Sequence, residues 1–208
     1  MRPRTSVYID GFNLYFRALK GTPHKWLDPW RLSRLLLPEY EVLRVRYFTA
    51  IVESRAGDPQ QQQRQQVYLR ALATFPSLSI HLGTFMTKPR RLPLAKPQPG
   101  EARTVEVLRT EEKGSDVNLA TFMLVDGFKN DYDVAVVMSN DSDLKEPIRA
   151  VREELGLTVG VVVTDANMSE SALPADFHRR LRARALAAAQ LPSELSDGEG
   201  KIRKPAGW

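Results

Sequence analysis

Four aspartates stand where apolar runs or helix starts would place them, and together they could do metal-assisted chemistry. Asp10 follows Val7-Tyr8-Ile9. Asp141 and Asp143, one residue apart, follow the continuous run Val134-Ala135-Val136-Val137-Met138, and Asp116 falls in the first turn of a helix starting at Ser115. Ligands of open α/β sheets sit outside the carboxyl ends of the strands, so Asp10 and Asp141 are placed for a shared site. Clustered carboxylates repel one another and call for a compensating cation. Oxygen ligands without Cys or His select Mg²⁺ or Mn²⁺. Such an ion positions and ionises a water and stabilises the charge that grows on a phosphodiester under attack.

The neighbours suit that chemistry. Asn13, just past Asp10, could hold a ligand oxygen or orient a water, and Ser139 and Asn140 offer polar groups at the strand exit. Lys113-Gly114-Ser115 combines a cation, a glycine and a helix N-terminus, a setting for phosphate. Arg109 and the cations at 88–91 would be further backbone contacts. Duller roles exist for several of these residues. Asp143 could cap the next helix through the box Asp143-Leu144-Lys145-Glu146, Asp116 could serve the helix dipole, and Asp10-Gly11-Phe12-Asn13 could be a simple Asx-type turn. Asp131 and Asp133 bracket Tyr132 at the wrong end of the strand.

The elements that must position these groups alternate between strand and helix. Strands are expected at Thr5–Ile9, Glu41–Ala50, Leu78–Met86, Val134–Met138 and Leu157–Thr164. A short helix over Leu14–Lys20 stops at Gly21, and helices opened by Asp28-Pro29 and Asp58-Pro59 follow the cap-plus-proline pattern, the second running through Thr74. Ser115 should cap a helix with Val117, Thr121, Leu124 and Phe128 at helical spacing. Another should end at Gly156, and a last one should run from near Asp176 to Gln190. Residues 87–101, with Lys88, Arg90, Arg91 and Lys96 among four prolines, read as a mobile basic loop. Arg103–Arg109 could still be one arm of a hairpin with 82–88. The pattern predicts an α/β fold, three-layered around a mainly parallel sheet, over residues 1–190, with 191–208 a disordered tail.

Composition narrows the partners. The 208 residues include no cysteine, which removes disulfides, thiolate metal sites and cysteine nucleophiles, and the three histidines show no zinc-ligand spacing. No leader-like or membrane-length apolar run is visible, so a cytoplasmic protein without a membrane partner is expected. A formal charge of +5 and a pI near 9.6 favour an anionic partner, nucleic acid first.

Three segments in order resemble the NYN domain, a branch of the PIN-like nuclease superfamily that includes the LabA-like bacterial proteins. They are Tyr8-Ile9-Asp10-Gly11-Phe12-Asn13-Leu14-Tyr15, Glu112-Lys113-Gly114-Ser115-Asp116-Val117-Asn118-Leu119-Ala120, and Val137-Met138-Ser139-Asn140-Asp141-Ser142-Asp143-Leu144. The resemblance spans about Ser6 to Val163. It implies an α/β/α sandwich whose central strands carry Asp10 and Asp141. It also implies a metal-dependent endoribonuclease site with Asp10, Asp116, Asp141 and Asp143 on Mg²⁺ or Mn²⁺ and Asn13 assisting. RNA is then the expected partner, and a second copy of the chain an admissible one. Asn140 and Leu144 depart from the family's Ser-Gly-Asp-Ser-Asp-Phe while keeping both carboxylates. The alternative is an RNA-binding or regulatory module of the same fold that uses the cluster weakly. Haloacid-dehalogenase-type phosphatases and receiver domains fit worse, lacking Asp-x-Asp-x-Thr and the fifth-strand lysine respectively.

Overall fold

Six parallel strands carry the apolar runs of this chain, and all six end on the same rim. The computed structural model describes residues 1–54, 57–97, 102–165 and 173–208. In chain order the elements are β1 (Arg4–Asp10), α1 (Gly11–Leu14) continued by a π-helical turn (Tyr15–Leu19), α2 (Pro29–Leu36), β2 (Glu41–Thr49) and α3 (Gln61–Leu72). There follow β3 (Leu78–Leu82), β4 (Thr84–Pro93), β5 (Thr104–Lys113), α4 (Ser115–Phe128), β6 (Val134–Met138) and α5 (Lys145–Glu153). The chain closes with β7 (Thr158–Val163), β8 (Phe177–Arg180), α6 (Ala183–Ala188), β9 (Glu194–Asp197) and β10 (Gly200–Arg203).

The main sheet has the order β3-β2-β1-β6-β7-β8. Strand order reverses between β1 and β6, the crevice where doubly wound sheets bind ligands. Every residue of β6 is buried, as a continuous apolar run in a central parallel strand requires. Alternation sends Val7, Ile9, Val136 and Met138 into one core with Leu14, Leu27, Leu32 and Leu72. Tyr8, Ala135 and Val137 go to a second core with Leu119, Met123 and Ile148. The result is the expected three-layer α/β/α arrangement.

Several expectations are corrected. The strand expected at Leu78–Met86 breaks at Gly83 into β3 and β4, which belong to different sheets. The first part of the expected basic loop is strand. Thr87–Pro93 belong to β4 and pair antiparallel with β5, so the hairpin extends well past residue 88, while residues 98–101 lie outside the described residues. Leu94 N–H donates to the Arg103 carbonyl, which sets even-numbered β4 residues in the hydrogen-bonded pairs. Pro89 and Pro93 fall on odd positions whose nitrogens face away from β5, where proline costs no ladder bond.

The last helix is also shorter than expected. Phe177–Arg180 instead form β8 on the β7 edge, with Phe177 stacked on Tyr40 at 5.3 Å. The supposed tail is ordered. β9 and β10 pair as a hairpin, Arg70 clamps Asp197, and Trp208 packs against Trp26 and Tyr68 with ring centroids 6.3 and 5.4 Å away.

Helix α4 turns a different face inward from the one its apolar spacing suggests. Leu119, Met123, Asp126 and Gly127 are buried, whereas Val117 and Phe128 stay 68% and 74% exposed. The cause is polar. Asp126 accepts two 2.7 Å bonds from the Arg46 guanidinium and one of 2.8 Å from the Tyr8 hydroxyl. A buried carboxylate needs such partners, and they fix the rotation of α4 and with it the position of Asp116 at the helix's other end.

Candidate active site

Asp10 is the last residue of β1 and sits at the bottom of a cleft of about 420 Å³. Asn13, Asp116, Asp141, Glu112, Phe12, Phe16 and Phe85 also line it. Its side chain caps α1, one oxygen accepting from the Asn13 N–H at 2.9 Å. The other accepts from the Ser139 hydroxyl at 2.9 Å, and Ser139 in turn accepts the Asp141 N–H at 3.1 Å. This relay ties the ends of β1 and β6 together. A carboxylate has about four acceptor positions, so Asp10 keeps capacity for a further ligand. Burial, partly offset by these hydrogen bonds, pushes its pKa above the ordinary value.

Asp141 and Asp143 have different positions. Asp141 lines the cleft and accepts the Asp143 N–H at 2.9 Å, so it is Asp141 that caps the single 3₁₀ turn Ser142–Leu144. The capping box expected from Asp143 does not form. Asp143 is exposed and lines an adjoining recess with Lys113 and Asp116.

Asp116 belongs to both recesses. Its pKa is pushed up to about 6, first by burial and then by Asp10, Asp141, Glu112 and Asp143. That ordering says the sequence-predicted carboxylates do converge electrostatically, joined by one not foreseen, Glu112. The nearby cations do not neutralise them: Lys113 and Arg109 both pair with Glu111, at 2.9 and 2.8 Å, and Arg17 pairs with Asp165.

Glu112 also explains Ser115. Both the N–H and the hydroxyl of Ser115 donate to its carboxylate, at 3.1 and 2.7 Å. Ser115 is therefore the first residue of α4, and Gly114, at φ +100°, occupies the cap position. Gly83 meets this turn so closely that a Cβ there would lie 2.7 Å from the Lys113 carbonyl oxygen. Only glycine lets the base of the β4–β5 hairpin dock beside the cluster.

The predicted polar neighbours mostly hold the frame. Ser139 and Ser115 are buried and engaged as described, Ser115 also lining the cleft with its hydroxyl held by Glu112. The Asn13 side-chain oxygen Oδ1 accepts from the Thr164 hydroxyl at 2.9 Å and from the Asn140 backbone N–H at 3.2 Å, while the Asn140 side-chain amide donates to Thr164 at 2.8 Å. Asn13, Asn140 and Thr164 thus clamp the ends of β1, β6 and β7. Lys113 lines the adjoining recess, and Arg109 lies farther up the hairpin, lining neither. Thr164 and Glu112 had no signal beyond their type; the motif segment containing Glu112 was the one pointer.

Among the described residues no group of three or more His, Cys, Asp or Glu side chains is drawn together closely enough to hold a metal ion. The donor chemistry nevertheless suits a hard divalent cation, being all-oxygen and carrying uncompensated negative charge. Among the same residues no helix is long and apolar enough to cross a membrane.

Comparison with known proteins bears on the fold and the family. A 6-hydroxy-3-succinoylpyridine 3-monooxygenase from Pseudomonas putida is 32% identical, the match covering 99% of this chain and 75% of that one. A crystallised protein of unknown function from Vibrio parahaemolyticus superposes with a TM-score of 0.54 at 17% identity, over 88% of this chain and 94% of that one, a likeness of fold. The NYN domain profile matches residues 4–181. With a parallel sheet whose switch point gathers the carboxylates of all three motifs, the chain belongs to the NYN domain family, within the PIN-like nuclease superfamily.

Proposed function

We propose that this protein is a metal-dependent endoribonuclease, cutting RNA phosphodiester bonds by water attack in the Asp10–Asp116–Asp141 cleft. The observation that carries this reading is the unneutralised carboxylate cluster at the switch point, where burial first and then four acidic neighbours push the Asp116 pKa up to about 6. Mutual repulsion of this kind is costly without a cation. Asp10, Asp116 and Asp141 would hold Mg²⁺ or Mn²⁺, with Asp143 completing the cluster from the adjoining recess. The ion would supply an ionised water and charge stabilisation at the phosphate. The chain's own residues do the positioning: Ser139 orients Asp10, the Asn13–Asn140–Thr164 clamp fixes the strand ends, and Lys113 lies where a phosphate oxygen would approach. Within the family, the likeness of the three motifs to LabA-like proteins supports reading the chain as one of that branch, and we expect it to act in the cytoplasm, alone or as a homodimer.

The test is labelled RNA incubated with Mn²⁺, Mg²⁺ or EDTA, for wild type and Asp141→Asn. Metal-dependent cleavage, largely lost in the variant, is expected. Equal cleavage by both proteins, or none across varied RNAs, would overturn the reading.

A second reading comes from the Pseudomonas relative, whose name describes a monooxygenase of a hydroxylated pyridine. The β1–α1 turn Asp10-Gly11-Phe12-Asn13 lacks the glycine-rich cradle that dinucleotide cofactors use, and this favours the nuclease. Oxygen uptake and loss of 6-hydroxy-3-succinoylpyridine in the presence of a reductant, abolished by Asp141→Asn, would reverse that preference.

A further inference from the structure

The β4–β5 hairpin stands apart from the main sheet and has two unlike faces. Its register puts Lys88 opposite Arg109, Arg90 opposite Val107, and Lys113 opposite Thr84. Side chains alternate along a strand, so Lys88, Arg90, Arg109 and Lys113 share one face with Glu111. Four cations there oppose a single carboxylate. The lowered pKa of Glu111 has Lys113, Arg109 and Arg90 among its causes, which places all three around it. Neither Lys88 nor Arg90 has an ion-pair partner among the described residues. At about 3.4 Å per residue, the row from Lys113 to the level of Arg90 runs roughly 20 Å away from the Asp116 recess.

The other side of the hairpin base is aromatic. Phe85 packs edge-on against Phe12 at 5.6 Å, and Phe12 is nearly parallel to Phe16 at 6.4 Å. Phe16 is 55% exposed. All three line the cleft that holds Asp10 and Asp141, and Lys20 Nζ lies 5.2 Å over the Phe16 ring. Phe16 keeps that exposure although Phe12 and Tyr15 flank its ring. An aromatic surface beside a cationic track is how single strands are held: cations follow the backbone, and unstacked bases lie on rings. The volume suits one nucleotide-sized group.

We propose that these two surfaces form one track for single-stranded RNA. The backbone follows the Lys88–Arg90–Arg109–Lys113 face, the strand crosses the carboxylates where the two recesses share Glu112 and Asp116, and a base rests on the Phe12–Phe16–Phe85 shelf. This rests on the nuclease reading for the identity of the strand. A duplex, its bases stacked and paired, cannot use the shelf, so strandedness is read by Phe16.

The test is equilibrium binding in EDTA, by fluorescence anisotropy, of a labelled single-stranded RNA and a duplex of the same sequence. The proteins are wild type, Lys88→Glu/Arg90→Glu, Phe16→Ala and Phe16→Trp, each first shown to melt as wild type does. The double charge reversal should weaken single-strand binding more than tenfold and flatten the log–log salt slope by at least about 1.4, two contacts at roughly 0.7 each. Phe16→Ala should weaken it about five- to a hundredfold at unchanged slope, and Phe16→Trp should restore it, since stacking survives. Wild-type affinity in both disruptive variants, or a duplex bound as tightly as the single strand, would overturn the track. Binding of this pattern without cleavage in Mn²⁺ would leave the track standing and sink the nuclease reading instead.

Discussion

Asp116→Asn is the most informative single change, because it should make the metal-free protein more stable while removing activity. The Asp116 pKa is pushed from 3.8 up to about 6, with burial first and four acidic neighbours after it. At about 1.4 kcal/mol per pKa unit, a shift of roughly two units corresponds to about 3 kcal/mol of destabilisation at neutral pH. Partial exposure of the cleft screens this, leaving about 1–2 kcal/mol. The direction follows from proton linkage. Between about pH 4 and pH 6 the folded protein keeps a proton that the unfolded chain has lost, so stability falls as pH rises through that window and is level above it. Asparagine cannot ionise, so the variant should lack that fall. In EDTA at pH 8 it should melt about 2–8 °C above wild type, at 2–4 °C per kcal/mol for a chain of this size. The gap should vanish near pH 4. Adding Mn²⁺ should raise the wild-type melting temperature more than the variant's and narrow or reverse the gap, while cleavage falls about a hundredfold or more, as when an electrostatic stabiliser is lost. Thermal scans across pH 4–8, with and without metal, would refute the reasoning if the variant were no more stable than wild type at pH 8, or if its advantage were the same at pH 4.

Other perturbations separate the frame from the chemistry. Arg46→Met strands the buried Asp126 charge and should cost about 3–5 kcal/mol by denaturant unfolding. Thr164→Val removes the hydroxyl shared by Asn13 and Asn140. It should cost about 1–2 kcal/mol and lower kcat more than it raises KM, since it loosens the strand ends without touching substrate. Gly83→Ala drives a Cβ against the Lys113 carbonyl; about 1–3 kcal/mol should be lost, with RNA cleavage impaired more than in Thr164→Val. Deleting Trp208 exposes Trp26 and Tyr68 and should lower the melting temperature with little change in cleavage per folded molecule.

Much of the site was legible because its residues are tied to local signals. Asp10 ends one buried strand, Asp141 stands three residues past the end of another, and Asp116 follows a glycine at a helix start, so a pattern of runs and breaks locates all three. Glu112, Thr164 and the inward turn of Ser139 had no such signal, since each is defined by what another part of the chain places beside it. Helix α4 shows the same limit. Its apolar spacing favoured Val117 and Phe128, but a carboxylate took the core position because Arg46 and Tyr8, far away in sequence, were there to satisfy it.

The sequence by itself therefore determined the layers, the direction of the strands and which carboxylates reach the rim, because burial periods and strand-terminal residues are local properties. Only the tertiary structure decided that the proline-rich basic stretch is a strand, that the arginine-rich segment Phe177–Arg180 closes the sheet edge, and that the C-terminal residues fold back onto Trp26. In each case a distant partner supplied hydrogen bonds or apolar surface that outweighed local preference. The strand partners of Pro89 leave its nitrogen free, and the β7 edge offers Phe177 a ladder that a solvent-exposed helix could not.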